Sequence, residues 1–80
     1  MNIHQFNSLN EIEKRTVVRT KGVYLANYAE GNFKYDVYQI DGFYVEISYN
    51  AINNTRPIIT ALSDPEDLLF LDSINLADLL

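Results

Sequence analysis

The chain has 80 residues, 48% of them hydrophobic and 21% charged, with 11 acids against 6 bases and a net charge of −5. That length predicts one domain over residues 1–80, and no stretch approaches the roughly 20 apolar residues of a membrane span. The lack of cysteine excludes a disulfide framework and a thiolate zinc site, and the opening Met1-Asn2-Ile3-His4-Gln5-Phe6 has neither the charged start nor the apolar run of a secretion signal, so a soluble cytoplasmic protein is expected.

Charge is unevenly spread. Residues 1–40 sum to +1, whereas residues 41–80 carry Arg56 against seven acids and sum to −6. An acidic domain is repelled by phosphate backbones and steered toward basic partners, which argues against duplex DNA. The acidic tail is read as a solubilising face with helix-start carboxylates, which the helix dipole favours, or as an attractor for a basic protein.

In chain order, the first predicted element is a helix over residues 8–21. Ser8 and Glu11 have capping-box spacing. Leu9, Ile12, Thr16 and Val17 form its apolar side, Val18 looks outward, and Gly22 is suited to a left-handed end. Three alternating runs follow, at 23–29, 33–39 and 43–49, and read as half-buried antiparallel strands. Between the second and third, a two-residue turn at Asp41-Gly42 would pair Ile40 with Phe43. A three-residue loop with Gly42 left-handed pairs Val37 with Val45, Tyr35 with Ile47 and Phe33 with Tyr49, and gives one clean apolar face to be covered by the helices. The three-residue loop is therefore expected. A fourth strand is expected from Arg56 to Leu62 after a turn at Asn53-Asn54, and Pro57 places it at the sheet edge. Asp64-Pro65-Glu66-Asp67 is helix-start grammar for a second helix to about Asp72, with a short last turn at Asn75 and Asp78. The expected fold class is α+β: a two-layer α-β-β-β-β-α domain, a four-stranded antiparallel meander with both helices on one face.

Gly22-Val23-Tyr24-Leu25, then Tyr35-x-Val37-Tyr38, then Phe43-Tyr44-Val45-Glu46-Ile47-x-Tyr49 together resemble a group of small uncharacterised bacterial proteins of about this length. Those proteins share an opening helix, a β-meander and a Leu-rich end. The resemblance implies the same fold over nearly the whole chain, and it implies no activity and no functional residues.

Chemistry-bearing clusters are sparse. His4 is the one histidine and sits at the chain end, so a Ser–His or Cys–His engine has no partner set and no enzyme is expected. The glycines are isolated turn residues rather than a phosphate loop. No metal, cofactor or small-molecule substrate is called for. In the chosen register Asp36 and Glu46 face each other on the outer sheet surface, too few ligands for a good cation site, and are relieved by Lys34 or Arg56. The more telling pattern is aromatic. With the first hairpin turning through Glu30-Gly31-Asn32, Tyr24 lies opposite Tyr38; with Tyr38 opposite Tyr44, they would make a row across three outward strand faces, with Tyr28 near its end. Such a row is a candidate interface or a ladder that stiffens a thin sheet. The Leu-rich end from Leu68 to Leu80 either wedges between the first helix and the sheet or is left for a partner or a second copy. The functional expectation is a small non-enzymatic protein-binding or adaptor module, in its sharper form an acidic inhibitor or immunity-type protein. The alternative is a single-stranded nucleic-acid-binding sheet using Tyr24, Tyr38 and Tyr44 with Lys34 and Arg56.

Overall fold

The computed structural model describes residues 1–53 and 56–63. Its elements run α1 (Ile3–Asn7), α2 (Glu11–Lys21), β1 (Val23–Glu30), β2 (Phe33–Ile40), β3 (Phe43–Asn50) and β4 (Ile58–Leu62). The strands form one antiparallel sheet in the order β1-β2-β3-β4. This is the α+β class and the meander expected. Pro57 precedes an edge strand, where its missing N–H costs the ladder nothing. Asn54 of the expected Asn53-Asn54 turn, the helix beginning at Asp64 and the Leu-rich end lie outside the described residues.

The helical region differs from the expectation in a way the capping rules explain. Two capping boxes operate, and neither uses the Ser8–Glu11 spacing. Asn2 Oδ1 accepts from the Gln5 N–H and Gln5 Oε1 accepts from the Asn2 N–H, starting α1. Asn10 accepts from the Glu13 N–H at 2.8 Å and Glu13 accepts from the Asn10 N–H at 3.0 Å, starting α2. Ser8 is consumed in closing α1, its hydroxyl donating to the Gln5 carbonyl at 2.7 Å. The buried side of α2 also differs from the expectation. Val18 is buried and Ile12 is exposed, the reverse of the expected facing.

Gly22 ends α2, but in extended backbone (φ −74°, ψ 138°) rather than the left-handed form. Its N–H donates to the Val18 carbonyl at 2.9 Å. A Cβ at this position would overlap that carbonyl oxygen. The glycine is required by close approach and not by a positive φ. Gly22→Ala is therefore expected to cost about 1–3 kcal/mol, the range for forcing extra volume into a packed site, as a lowered urea midpoint. Retention of full stability would mean that the helix end yields freely.

Both hairpin turns between β1 and β3 are two-residue turns. Gly31 takes φ +59° in the first, and Glu30 pairs with Phe33. In the second, Ile40 pairs with Phe43, which overturns the three-residue loop. The left-handed residue is Asp41, at φ +48°, and not Gly42. Aspartate tolerates this conformation because its short polar side chain can bond locally. Here the Met1 ammonium donates to Asp41 Oδ2 at 2.7 Å, a contact that holds the Asp41 carboxyl below its usual range.

Changing the loop by one residue inverts β2. Val37 pairs with Glu46, Tyr38 with Val45 and Asp36 with Ile47. Asp36, Tyr38 and Ile40 thus share a face with Phe43, Val45, Ile47 and Tyr49, while Phe33, Tyr35 and Val37 share the other with Tyr44 and Glu46. The sheet has a buried cluster on each side. On one side Phe6 of α1 and Val18 of α2 pack with Ile40, Phe43, Val45 and Ile47. On the other, Tyr28 and Val37 pack with Leu25, Tyr35, Tyr44 and Leu62. Both described helices lie on the Val45 side, but they do not cover Phe33 and Tyr35 as the expected register required. Glu46, expected in solvent, is only 9% exposed. No helix among the described residues is long and apolar enough to cross a membrane.

Candidate interface on the sheet

One irregularity decides where the tyrosines go. β1 pairs with β2 in continuous register from Glu30 back to Ala26, opposite Val37. The register then shifts, and Tyr24 lies opposite Tyr38. Leu25 is the extra residue of a β-bulge, a device that re-aims side chains. Without it, the two-residue turn would put Leu25 opposite Tyr38 and turn Tyr24 to the far face. The pairing of Tyr24 with Tyr38 was expected; it arises from a shorter turn plus a bulge.

The row of Tyr24, Tyr38 and Tyr44 does not form. Tyr38 opposes Val45 and Tyr44 opposes Gln39. The six tyrosines divide three and three between the faces, each set around one mid-strand carboxylate, with Glu30 also near Tyr28. Tyr28, Tyr35 and Tyr44 lie with Glu46, and Tyr24, Tyr38 and Tyr49 lie with Asp36. Asp36 and Glu46, expected opposite each other, are on different faces.

The Glu46 set is a packed one. The Tyr28 and Tyr35 rings stack at 4.5 Å with 9° between planes. The Tyr28 hydroxyl donates to Glu46 Oε2 at 3.0 Å. Burial first, and then the adjacent carboxylate, push the Tyr28 phenol far above its ordinary value. A phenol held so firmly protonated is a hydrogen-bond donor and not a proton shuttle at neutral pH. Glu46 is too enclosed to meet a macromolecule.

The Asp36 set is open. Tyr24 is 49% exposed and Tyr49 36%, with Tyr38 and Asp36 half-buried between them. The Tyr24 and Tyr38 rings meet edge to face at 5.5 Å and 69°, and Asn27 Nδ2 donates to the Tyr24 hydroxyl. Burial raises the Tyr38 phenol above its ordinary value, helped by Asp36 and then Tyr24. Burial also raises Tyr49, with Asp36 and Tyr38 adding to it and Arg15 opposing. The phenols and the carboxylate are thus close enough to feel one another. Asp36 itself holds no ion pair among the described residues. Lys34 is its neighbour on this face, across from Tyr49. Sequence reasoning assigned Tyr49 to the core and Asp36 to the outer surface. The signal that places them together was the two-residue alternative for the Asp41-Gly42 turn.

Elsewhere, Glu11 bridges Arg15 at 2.9 Å and Arg56 at 3.0 Å, closing a shallow groove also lined by Asn10 and Ile12. Arg56 is therefore committed to α2 and relieves neither Asp36 nor Glu46. Among the described residues no group of three His, Asp or Glu side chains is placed to hold a metal ion. No family model matches the chain, and no curated protein or solved structure matches it.

Proposed function

We propose that the chain is a non-enzymatic protein-binding module whose contact surface is the Tyr24, Tyr38 and Tyr49 patch around Asp36. The observation that carries this reading is the exposure of Tyr24 and Tyr49 on either side of a half-buried tyrosine and a carboxylate that holds no ion pair among the described residues. Tyrosine anchors interfaces because it offers large rigid area with a polar tip. The net charge of −5 favours a basic partner, as an inhibitor-type protein masking a basic site would need. Of the four tyrosines expected at the interface, this reading keeps Tyr24 and Tyr38, adds Tyr49, and leaves Tyr28 and Tyr44 to the packed face.

The test compares affinity capture by the tagged chain with capture by its Tyr24→Ser and Tyr44→Ser variants. A basic protein that binds the parent is expected to bind Tyr24→Ser more weakly by more than about 1 kcal/mol, with the thermal midpoint little changed. Tyr44→Ser, on the other face, should bind as the parent does. Equal losses from both variants would refute this placement of the surface. Tight binding of an oligothymidine that falls steeply with salt would replace it with the single-strand reading.

A further inference from the structure

We propose that Asp36, with the rings of Tyr24, Tyr38 and Tyr49, receives the guanidinium of an arginine projecting from the protein partner. This rests on the reading of that patch as the contact surface and names the chemistry it takes. The starting point is a carboxylate that holds no ion pair among the described residues and takes a hydrogen bond from the Tyr49 phenol. Arg15 and Arg56 are both held by Glu11, and Lys34, although on the same face, forms no ion pair with Asp36. A half-buried carboxylate is partly deprived of water, so an incoming cation recovers more there than at a fully wet site.

The surroundings select the kind of cation. Tyr24 and Tyr38 meet edge to face, which sets two ring planes at a steep angle beside the carboxylate. The face of a tyrosine ring attracts a cation through its quadrupole. Burial and the Asp36 charge hold the Tyr38 and Tyr49 phenols protonated, so no phenolate competes with Asp36 for the cation. Among the described residues Asp36 belongs to no group of three acids or histidines, and one carboxylate does not suit a divalent metal, which takes several oxygen ligands. Between the two basic side chains, the exposure of Tyr24 and Tyr49 favours arginine. An ammonium keeps its water at so open a site. The weakly hydrated planar guanidinium stacks on an aromatic face and offers two parallel N–H bonds to a carboxylate.

The test uses the intact chain and a capped Gly-Ser-Arg-Ser-Gly peptide, with counterparts carrying lysine or citrulline in place of arginine, followed by ¹⁵N NMR titration. The arginine peptide is expected to shift the amides of Tyr24, Asp36, Tyr38 and Tyr49. The citrulline peptide, similar in shape and without charge, should bind at least about tenfold more weakly, the factor for losing a charge-assisted bond, and lysine should fall between. Asp36→Asn should bring the arginine peptide down to the citrulline level. Equal binding of the arginine and citrulline peptides to the native chain overturns the proposal, without recourse to any variant, as do shifts confined to another surface. If those peptides fail but Tyr24→Ser still weakens the protein partner, the contact surface stands and its arginine preference falls. If Tyr24→Ser changes nothing, both fall.

Discussion

Replacing Phe6 with alanine is expected to remove about 3–5 kcal/mol of stability, the range for truncating a buried aromatic. A domain of this size has roughly 4–12 kcal/mol to lose. α1 is five residues long, far below the roughly 12–15 at which an isolated helix becomes even marginal in water. It exists because it seats one ring. Phe6 is fully buried, tilted against Phe43 at 5.5 Å and 56°, with Lys14 Nζ 5.8 Å from its centroid. Urea denaturation followed by circular dichroism reads the effect, and Phe6→Leu should cost less because much of the volume remains. An unchanged midpoint for Phe6→Ala would mean that α1 folds apart from the rest.

A comparable loss is expected on the other face. Tyr28→Ala gives up a ring stacked on Tyr35 and a hydrogen bond to an enclosed carboxylate, at about 3–5 kcal/mol together. Tyr28→Phe keeps the ring and withdraws the donor, and should cost about 1–3 kcal/mol, because the Glu46 carboxylate stays enclosed after its partner is gone. The double variant Tyr28→Phe with Glu46→Leu should recover part of that loss, since removing both polar partners is far cheaper than stranding one. Additive losses in the double variant would show that the two groups act independently.

These two sites mark where the sequence was and was not informative. Period-two alternation placed β1, β2 and β3 to within a residue, and Pro57 put β4 at the edge. The face assignment of β2 did not follow, because it turned on one loop. The three-residue loop was preferred for the uniform apolar face it created, on the assumption that such a face is wholly covered. The helices instead cover the Ile40, Phe43, Val45 and Ile47 region. Lys34 and Tyr49 are exposed at the more open part of the same face, with Asp36 half-buried beside them. The other assumption, that polar alternates are wet, failed at Glu46, whose donor comes from Tyr28 on a strand that does not pair with its own. Alternation reports period, not coverage, and a buried carboxylate is legible only once its partner is located. The overlap of Ser8-x-x-Glu11 with Asn10-x-x-Glu13 was a local ambiguity of the same kind. Both spacings satisfy the capping rule, and α1 settled it by using Ser8 first.

The bulge at Leu25 gives β1 a property its neighbours lack. Between Glu30 and Ala26 the strand's alignment is dictated by the Gly31-Asn32 turn, and at Tyr24 it is dictated by the ring of Tyr38; the extra residue reconciles the two. It is slack in the ladder. Loss of a single residue from Leu25 to Asn27 can be absorbed there, leaving Tyr24 opposite Tyr38 and Tyr28 in its place, and reversing only the side chains between the lost position and the bulge. β2 and β3 pair without interruption from Phe33 to Ile40 and from Phe43 to Asn50 and hold no such reserve. A one-residue deletion in either reverses every side chain on one side of the cut. One residue can therefore be lost from the outer strand while the aromatic patch it helps to build keeps its place.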